Sequence, residues 1–75
     1  MDYTGKIKKV IAIINDNKEI TDITIYDIML WVNTSQYIVA KAVLTALERK
    51  GFIKKEGKKW VIVGREYGGD SNDKS

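Results

Sequence analysis

At 75 residues, 44% of them apolar, the chain is long enough for one small domain whose core is only marginally sufficient for stability. It has no cysteine and no histidine, which excludes disulfides, thiolate or imidazole metal ligands and Cys/His nucleophile pairs. The net charge of +3 is uneven, because seven basic residues lie between Lys41 and Lys59 against Glu48 and Glu56, a local excess of five. We therefore expect a non-enzymatic protein, without metal or cofactor, that binds a polyanion.

No segment has the length and apolar character of a membrane span. The longest apolar runs, 10–14 and 28–32, have five residues each, whereas a span needs roughly 20. The first residues, MDYTGKIKK, contain no apolar signal-peptide region. These features predict a cytoplasmic protein without a membrane partner.

The first predicted element is a helix from about Lys6 to Asn15, with Thr4 as its N-cap. Its apolar side chains repeat at i, i+3, i+4 and i+7 and so form one helical stripe. The residues of this stripe are Ile7, Val10, Ile11 and Ile14.

A very short strand and a second helix are predicted next. Isoleucines are mixed with short polar residues between Glu19 and Thr24, which is compatible with a very short strand that leads into a helix cap. Thr24 and Asp27 have the spacing of a capping box, and a second apolar stripe follows at helical spacing. The second helix is therefore predicted over 25–32.

A third helix is expected to start after Asn33, with Thr34 or Ser35 as its N-cap, and to run to about Lys50 with Gly51 at the C′ position. On a helical wheel one arc is apolar and should face the core. The residues of this arc are Tyr37, Ala40, Val43, Leu44 and Leu47. The opposite, outward face holds Ser35, Ile38, Lys41, Ala42, Thr45 and Arg49.

The last predicted element is a β-hairpin with strands over 52–56 and 59–63, joined by a tight turn at Gly57 and Lys58. Trp60 is expected in the core rather than stacked on a base. Four lysines cluster at the tip of the hairpin, either as polyanion contacts or as a guard against edge-to-edge sheet pairing. They are Lys54, Lys55, Lys58 and Lys59. The domain is predicted over 1–67, and the Gly-rich, polar residues 68–75 are expected to form a flexible tail.

The predicted fold class is α+β, in the order α-β-α-α-β-β. This order resembles the winged helix-turn-helix family of DNA-binding domains over about residues 7–63. The closest resemblance is in LTALERKGFI, residues 44–53, which is similar to the family's entry from the third helix into its β-hairpin wing. The start of the second helix at Thr24 and Ile25 also resembles the family. One departure is Asn33, which stands where the family often has glycine.

The resemblance implies a double-stranded DNA-binding protein, most simply a small transcriptional regulator and a homodimer. The third helix, 35–50, would enter the major groove and the wing, 54–59, would contact backbone or minor groove. The residues implied in DNA contact are Ser35, Gln36, Ile38, Lys41, Thr45, Arg49, Lys54, Lys55, Lys58 and Lys59. A composition high in isoleucine and lysine, without cysteine or histidine, suits a thermophile or an AT-rich genome, including mobile elements or viruses of archaea. If the protein is viral, the expected location is the host cytoplasm.

Several alternatives stay open at this level. Gln36 is either an adenine-reading amide or a solvated side chain, and Ile38 and Ala42 either touch thymine methyl groups or pack on a partner subunit. Because base-reading groups are few, a protein- or RNA-docking module is the alternative function. A dimer would have two candidate surfaces, around Ile13 and on the Trp60 and Ile62 face of the last strand if Val61 and Val63 face the core.

Overall fold

The computed structural model describes residues 3–64, which form three helices and one three-stranded antiparallel sheet. In chain order the elements are α1 (Thr4–Asp16), β1 (Asp22–Ile23), α2 (Ile25–Trp31), α3 (Tyr37–Arg49), β2 (Ile53–Glu56) and β3 (Lys59–Ile62). The strand order is β1-β3-β2. The predicted α+β class and the order α-β-α-α-β-β are therefore confirmed. The predicted tail, 68–75, lies outside the described residues.

The start of α2 is closed by the capping box that the sequence predicts. The backbone N–H of Asp27 donates to Thr24 Oγ1 at 3.4 Å, and the N–H of Thr24 donates to Asp27 Oδ2 at 2.9 Å. These two bonds satisfy backbone donors that have no partner inside the helix. They fix the direction in which the chain turns from β1 into α2.

Both α2 and α3 end in a Schellman motif, in which the chain reverses through a left-handed residue. After α2 that residue is Asn33, with φ of 55°, and the N–H of Thr34 donates to the carbonyl of Met29 at 3.0 Å. After α3 it is Gly51, with φ of 85°, and the N–H of Phe52 donates to the carbonyl of Leu47 at 3.1 Å. Asparagine tolerates this conformation better than most residues do. It therefore fills the place that glycine usually takes.

The starts of α1 and α3 differ from the predictions. The N-cap of α1 is Tyr3 rather than Thr4, and no side chain caps that end. The N-cap of α3 is Gln36 rather than Thr34 or Ser35. Thr34 Oγ1 instead accepts a hydrogen bond from the backbone N–H of Gln36 at 3.1 Å, which stabilises the loop before the helix. A hydroxyl can stabilise either a helix cap or a turn, and the residue type alone does not separate the two.

One residue of the predicted α3 core arc is misplaced. Tyr37 is 58% exposed, whereas Val39 is buried. The reason is that the apolar arc is centred on Val43 and Leu47, and Val39 lies one helical turn before Val43 on that side. The remaining members of the predicted arc are buried.

The sheet has one apolar and one charged face. Trp60 is opposite Ile23 on one side and Lys55 on the other, so these side chains share the face that covers the core. Trp60 is buried, as predicted, but Val63 is 58% exposed and Val61 is half-buried. A dimer surface at Trp60 and Ile62 would require Val61 and Val63 to face the core in their place. The structure does not have this arrangement, because Trp60 and Ile62 pack into or against the core.

The core is formed by one side of each helix and this inner face of the sheet. Its largest fully buried side chains are Ile14, Ile23, Ile28, Leu44, Leu47 and Ile53. No polar or charged side chain within residues 3–64 is buried. Every charged group of this part of the chain therefore lies at the surface, where it is available to a partner or to solvent.

Candidate nucleic-acid interface

The outward face of α3 is accessible over its full length. Ser35, Gln36, Ile38, Lys41, Thr45 and Arg49 are exposed, and Ala42 is half-buried. At 1.5 Å per residue, this 13-residue helix is about 20 Å long. It has the dimensions of a helix that fits a DNA major groove.

Ile38 lies at the N-terminal end of this outward face, as the second residue of α3. Its side chain is 72% exposed, and Lys41, Thr45 and Arg49 follow it along the same side of the helix. An exposed isoleucine at the start of a polar and basic face has no role in the core. It is available for an apolar contact with a partner.

The hairpin register separates the four lysines into two groups. Lys55 is opposite Trp60 and therefore lies on the inner face, toward α3, while Lys58 is in the turn. Lys54 is opposite Val61, and Lys59 is opposite Glu56, which places both lysines on the outer face. The sequence alone predicts a single cluster of four lysines. It cannot separate them, because the face on which a strand residue lies depends on how β2 pairs with β3.

One of the two outer lysines, Lys59, also has acidic neighbours. Lys59 Nζ donates to Asp22 Oδ2 at 3.2 Å, in an ion pair between two exposed side chains. Glu56 is the cross-strand neighbour of Lys59. The field of the outer face is therefore partly neutralised, whereas that of the inner face is not.

Lys55 packs over the ring of Trp60. Its Nζ lies 5.4 Å from the centre of that ring, within the range of a cation–π interaction. At an exposed lysine such a contact contributes roughly 0.5–1 kcal/mol. It therefore favours one position of the ammonium group without neutralising its charge.

A groove opens between the start of α2, the start of α3 and the hairpin tip, with a volume of about 250 Å³. We name it the tyrosine–lysine groove, after the side chains that form its wall. They are Tyr26, Tyr37, Lys41, Lys55, Lys58 and Trp60. No aspartate or glutamate lines it within residues 3–64. The groove thus combines three cations with three aromatic rings.

Sequence reasoning missed the two tyrosines of this groove. Tyr37 was assigned to the core, and Tyr26 received no nucleic-acid role, yet they are 58% and 73% exposed. The groove brings Lys41, Lys55 and Lys58 of the predicted contact residues together with them. Ser35, Gln36, Ile38, Thr45 and Arg49 lie on α3 or just before it, outside the groove wall, while Lys54 and Lys59 lie on the outer face of the hairpin.

The described part of the chain has neither a cluster of metal ligands nor a membrane-spanning helix. Among residues 3–64 no three acidic side chains lie close enough together to hold a metal ion. In the same segment, no helix has the length and apolar surface that crossing a bilayer requires.

Comparisons with protein-family models, curated proteins and solved structures found no match to this chain. The interpretation of its surface therefore depends on the geometry of its own residues.

Proposed function

We propose that this protein is a winged helix-turn-helix protein that binds double-stranded DNA, as a small transcriptional regulator. The observation that carries the proposal is that Lys41, on the exposed face of α3, lines the same groove as Lys55 and Lys58 of the hairpin. A helix that enters the major groove and a hairpin that reaches the neighbouring backbone need this arrangement.

In this proposal most of the affinity comes from phosphate contacts. Lys41 on α3 and Lys55 and Lys58 on the hairpin supply cations to one groove, and Arg49 is a further exposed cation at the end of α3. Binding of cations to phosphates releases counterions, so affinity falls steeply with salt. Lys54 and Lys59 contribute less, because they lie on the opposite face of the hairpin and Lys59 is paired with Asp22.

Base recognition depends on fewer groups. Gln36 and Ser35 precede the first turn of α3, and Thr45 lies farther along its outward face. Gln36 has the amide that pairs with adenine, while Ile38 and Ala42 suit thymine methyl groups. We therefore infer a preference for A·T-containing sites that is modest compared with the non-specific affinity.

Selection from a pool of random duplexes tests this proposal. The expected result is enrichment of A·T-containing sequences by the parent protein, and a changed enriched sequence for Gln36→Ala. Lys54→Ala is the matched control, since it removes an exposed side chain on the outer face of the hairpin. It should leave the enriched sequence unchanged. Failure to retain any duplex above background at ~0.05 M salt would refute DNA binding.

A docking module for protein or RNA is the second candidate, and it is favoured by the 72% exposure of Ile38 in the first turn of α3. An apolar side chain bordered by polar ones is typical of protein interfaces. The two functions differ in a competition experiment with labelled duplex DNA. A docking module releases the duplex to structured RNA as readily as to unlabelled duplex, whereas the proposed regulator prefers the duplex.

A further inference from the structure

We propose that the tyrosine–lysine groove binds an unpaired nucleotide of a single-stranded nucleic acid, with its base against the tyrosine rings and its phosphate on the lysines. This activity is separate from duplex binding and does not rest on it. It uses aromatic side chains that face neither the core nor the outward side of α3.

The charge of the groove favours a phosphate. Lys41 comes from α3, Lys55 from β2 and Lys58 from the turn, so three segments each contribute a lysine to the wall of one groove. No carboxylate of residues 3–64 lines the groove to neutralise them. The Lys55 ammonium group lies 5.4 Å from the centre of the Trp60 ring, and this contact favours one position of the cation before an anion binds.

The aromatic walls favour a planar ring. Tyr26 and Tyr37 are among the most exposed large apolar side chains of the described chain, at 73% and 58%, and they come from different helices. Neither is needed to fill the core. A positively charged groove with exposed aromatic rings is the arrangement that single-strand-binding proteins use, since every base has a face that can stack.

The size of the groove limits the ligand to one unit. Its volume of about 250 Å³ is below the roughly 300–1,000 Å³ of pockets for drug-sized ligands. It admits one base with its phosphate, and the rest of a strand would continue over the surface. In an intact duplex the bases are stacked on one another, so their faces cannot reach Tyr26 and Tyr37. The ligand is therefore unpaired.

The test compares two labelled strands with the same number of phosphates, a short oligothymidylate and an abasic strand of equal length. Fluorescence anisotropy with the parent protein should show about tenfold tighter binding of the oligothymidylate, the scale of one stacked base. Because this comparison needs no variant, it does not depend on the folding of a mutant. Equal affinity for both strands would overturn the proposal and leave the groove as a phosphate contact.

Variants then locate the effect. Replacing both tyrosines by phenylalanine, Y26F with Y37F, should keep the preference for oligothymidylate within about twofold, because the rings remain. Replacing both by alanine should abolish it, while circular dichroism checks the fold. Leu30→Ala is the matched control, since Leu30 is 77% exposed on α2 and does not line the groove. A preference that survives the double alanine change would refute the role of the tyrosines.

Duplex binding is measured on the same proteins. The double alanine variant should bind duplex with an unchanged salt slope, because its lysines remain. If the parent fails to bind duplex but prefers oligothymidylate over the abasic strand through its tyrosines, the proposed regulator function fails and the groove proposal stands. If the parent binds duplex and binds the two single strands equally, the groove proposal fails and the proposed regulator function stands.

Discussion

The separation of the hairpin lysines into an inner and an outer pair gives a prediction in which the number of charges is held constant. One variant removes Lys55 and Lys58, which line the groove beside α3. The other removes Lys54 and Lys59, which lie on the outer face. Each variant loses two lysines, so the net charge falls by the same amount. Any difference in DNA affinity then reports where the lysines lie.

The magnitude follows from counterion release. Each phosphate contact contributes a slope of about −0.9 to the plot of log affinity against log salt concentration, which corresponds to about eightfold in affinity between 1 M and 0.1 M salt. Loss of Lys55 and Lys58 should therefore flatten the slope by about 1.8 and weaken duplex binding about 60-fold at 0.1 M salt. Loss of Lys54 and Lys59 should change the slope by less than about 0.5, since neither faces the α3 side and Lys59 is paired with Asp22 at 3.2 Å.

The assay is fluorescence anisotropy with a labelled random-sequence duplex over a series of salt concentrations. Thermal melting of both variants verifies that the hairpin is intact, and each melting temperature should lie close to that of the parent because all four side chains are exposed. Equal flattening of the slope by both pairs would show that only the total charge matters. That result would refute the assignment of the inner face to the DNA side.

Three further predictions concern stability and assembly. Thr24→Ala removes the capping box and should cost ~1 kcal/mol, seen as a melting temperature lower by roughly 4–8 °C; no change would mean that the cap is dispensable. Gly57→Ala should lower the free energy of unfolding by ~1 kcal/mol, because φ at this position is 67°. Gly5→Ala should raise it by about 0.5 kcal/mol, because Gly5 lies in α1 with open space where the Cβ would be. Equal effects of the two substitutions in chemical denaturation would contradict this reasoning. We also expect a homodimer with a contact around Ile13, and light scattering at micromolar concentration that gives the monomer mass of 8.5 kDa would exclude it.

Local sequence signals were sufficient for the elements whose stabilising groups are neighbours in the chain. The capping box joins Thr24 and Asp27, three residues apart, and the reversal at Gly51 requires a residue that tolerates positive φ. These interactions form within one turn, so spacing identifies them. The start of α3 was harder to predict, because the hydroxyl of Thr34 stabilises the turn before the helix instead of capping it.

The candidate site was predictable only in part. The exposed face of α3 follows from helical periodicity, and the basic residues follow from composition. The groove does not, since Tyr26, Tyr37 and Lys55 come from three elements that meet only after the hairpin packs beside α3. The inner or outer position of Lys54, Lys55 and Lys59 depends on the register between β2 and β3, and a shift by one residue would exchange the two faces.

The sequence by itself determined the α+β class, the order of elements, the basic second half and the exclusion of thiol and imidazole chemistry. Those properties depend on residue identity and on spacing along the chain. Tertiary structure decided which lysines share a face and that Trp60 lies beneath Lys55, within 5.4 Å of it. It also decided that two exposed tyrosines stand beside three lysines in one groove. These are relations between elements distant in the chain, and packing of the hairpin against the helices sets them.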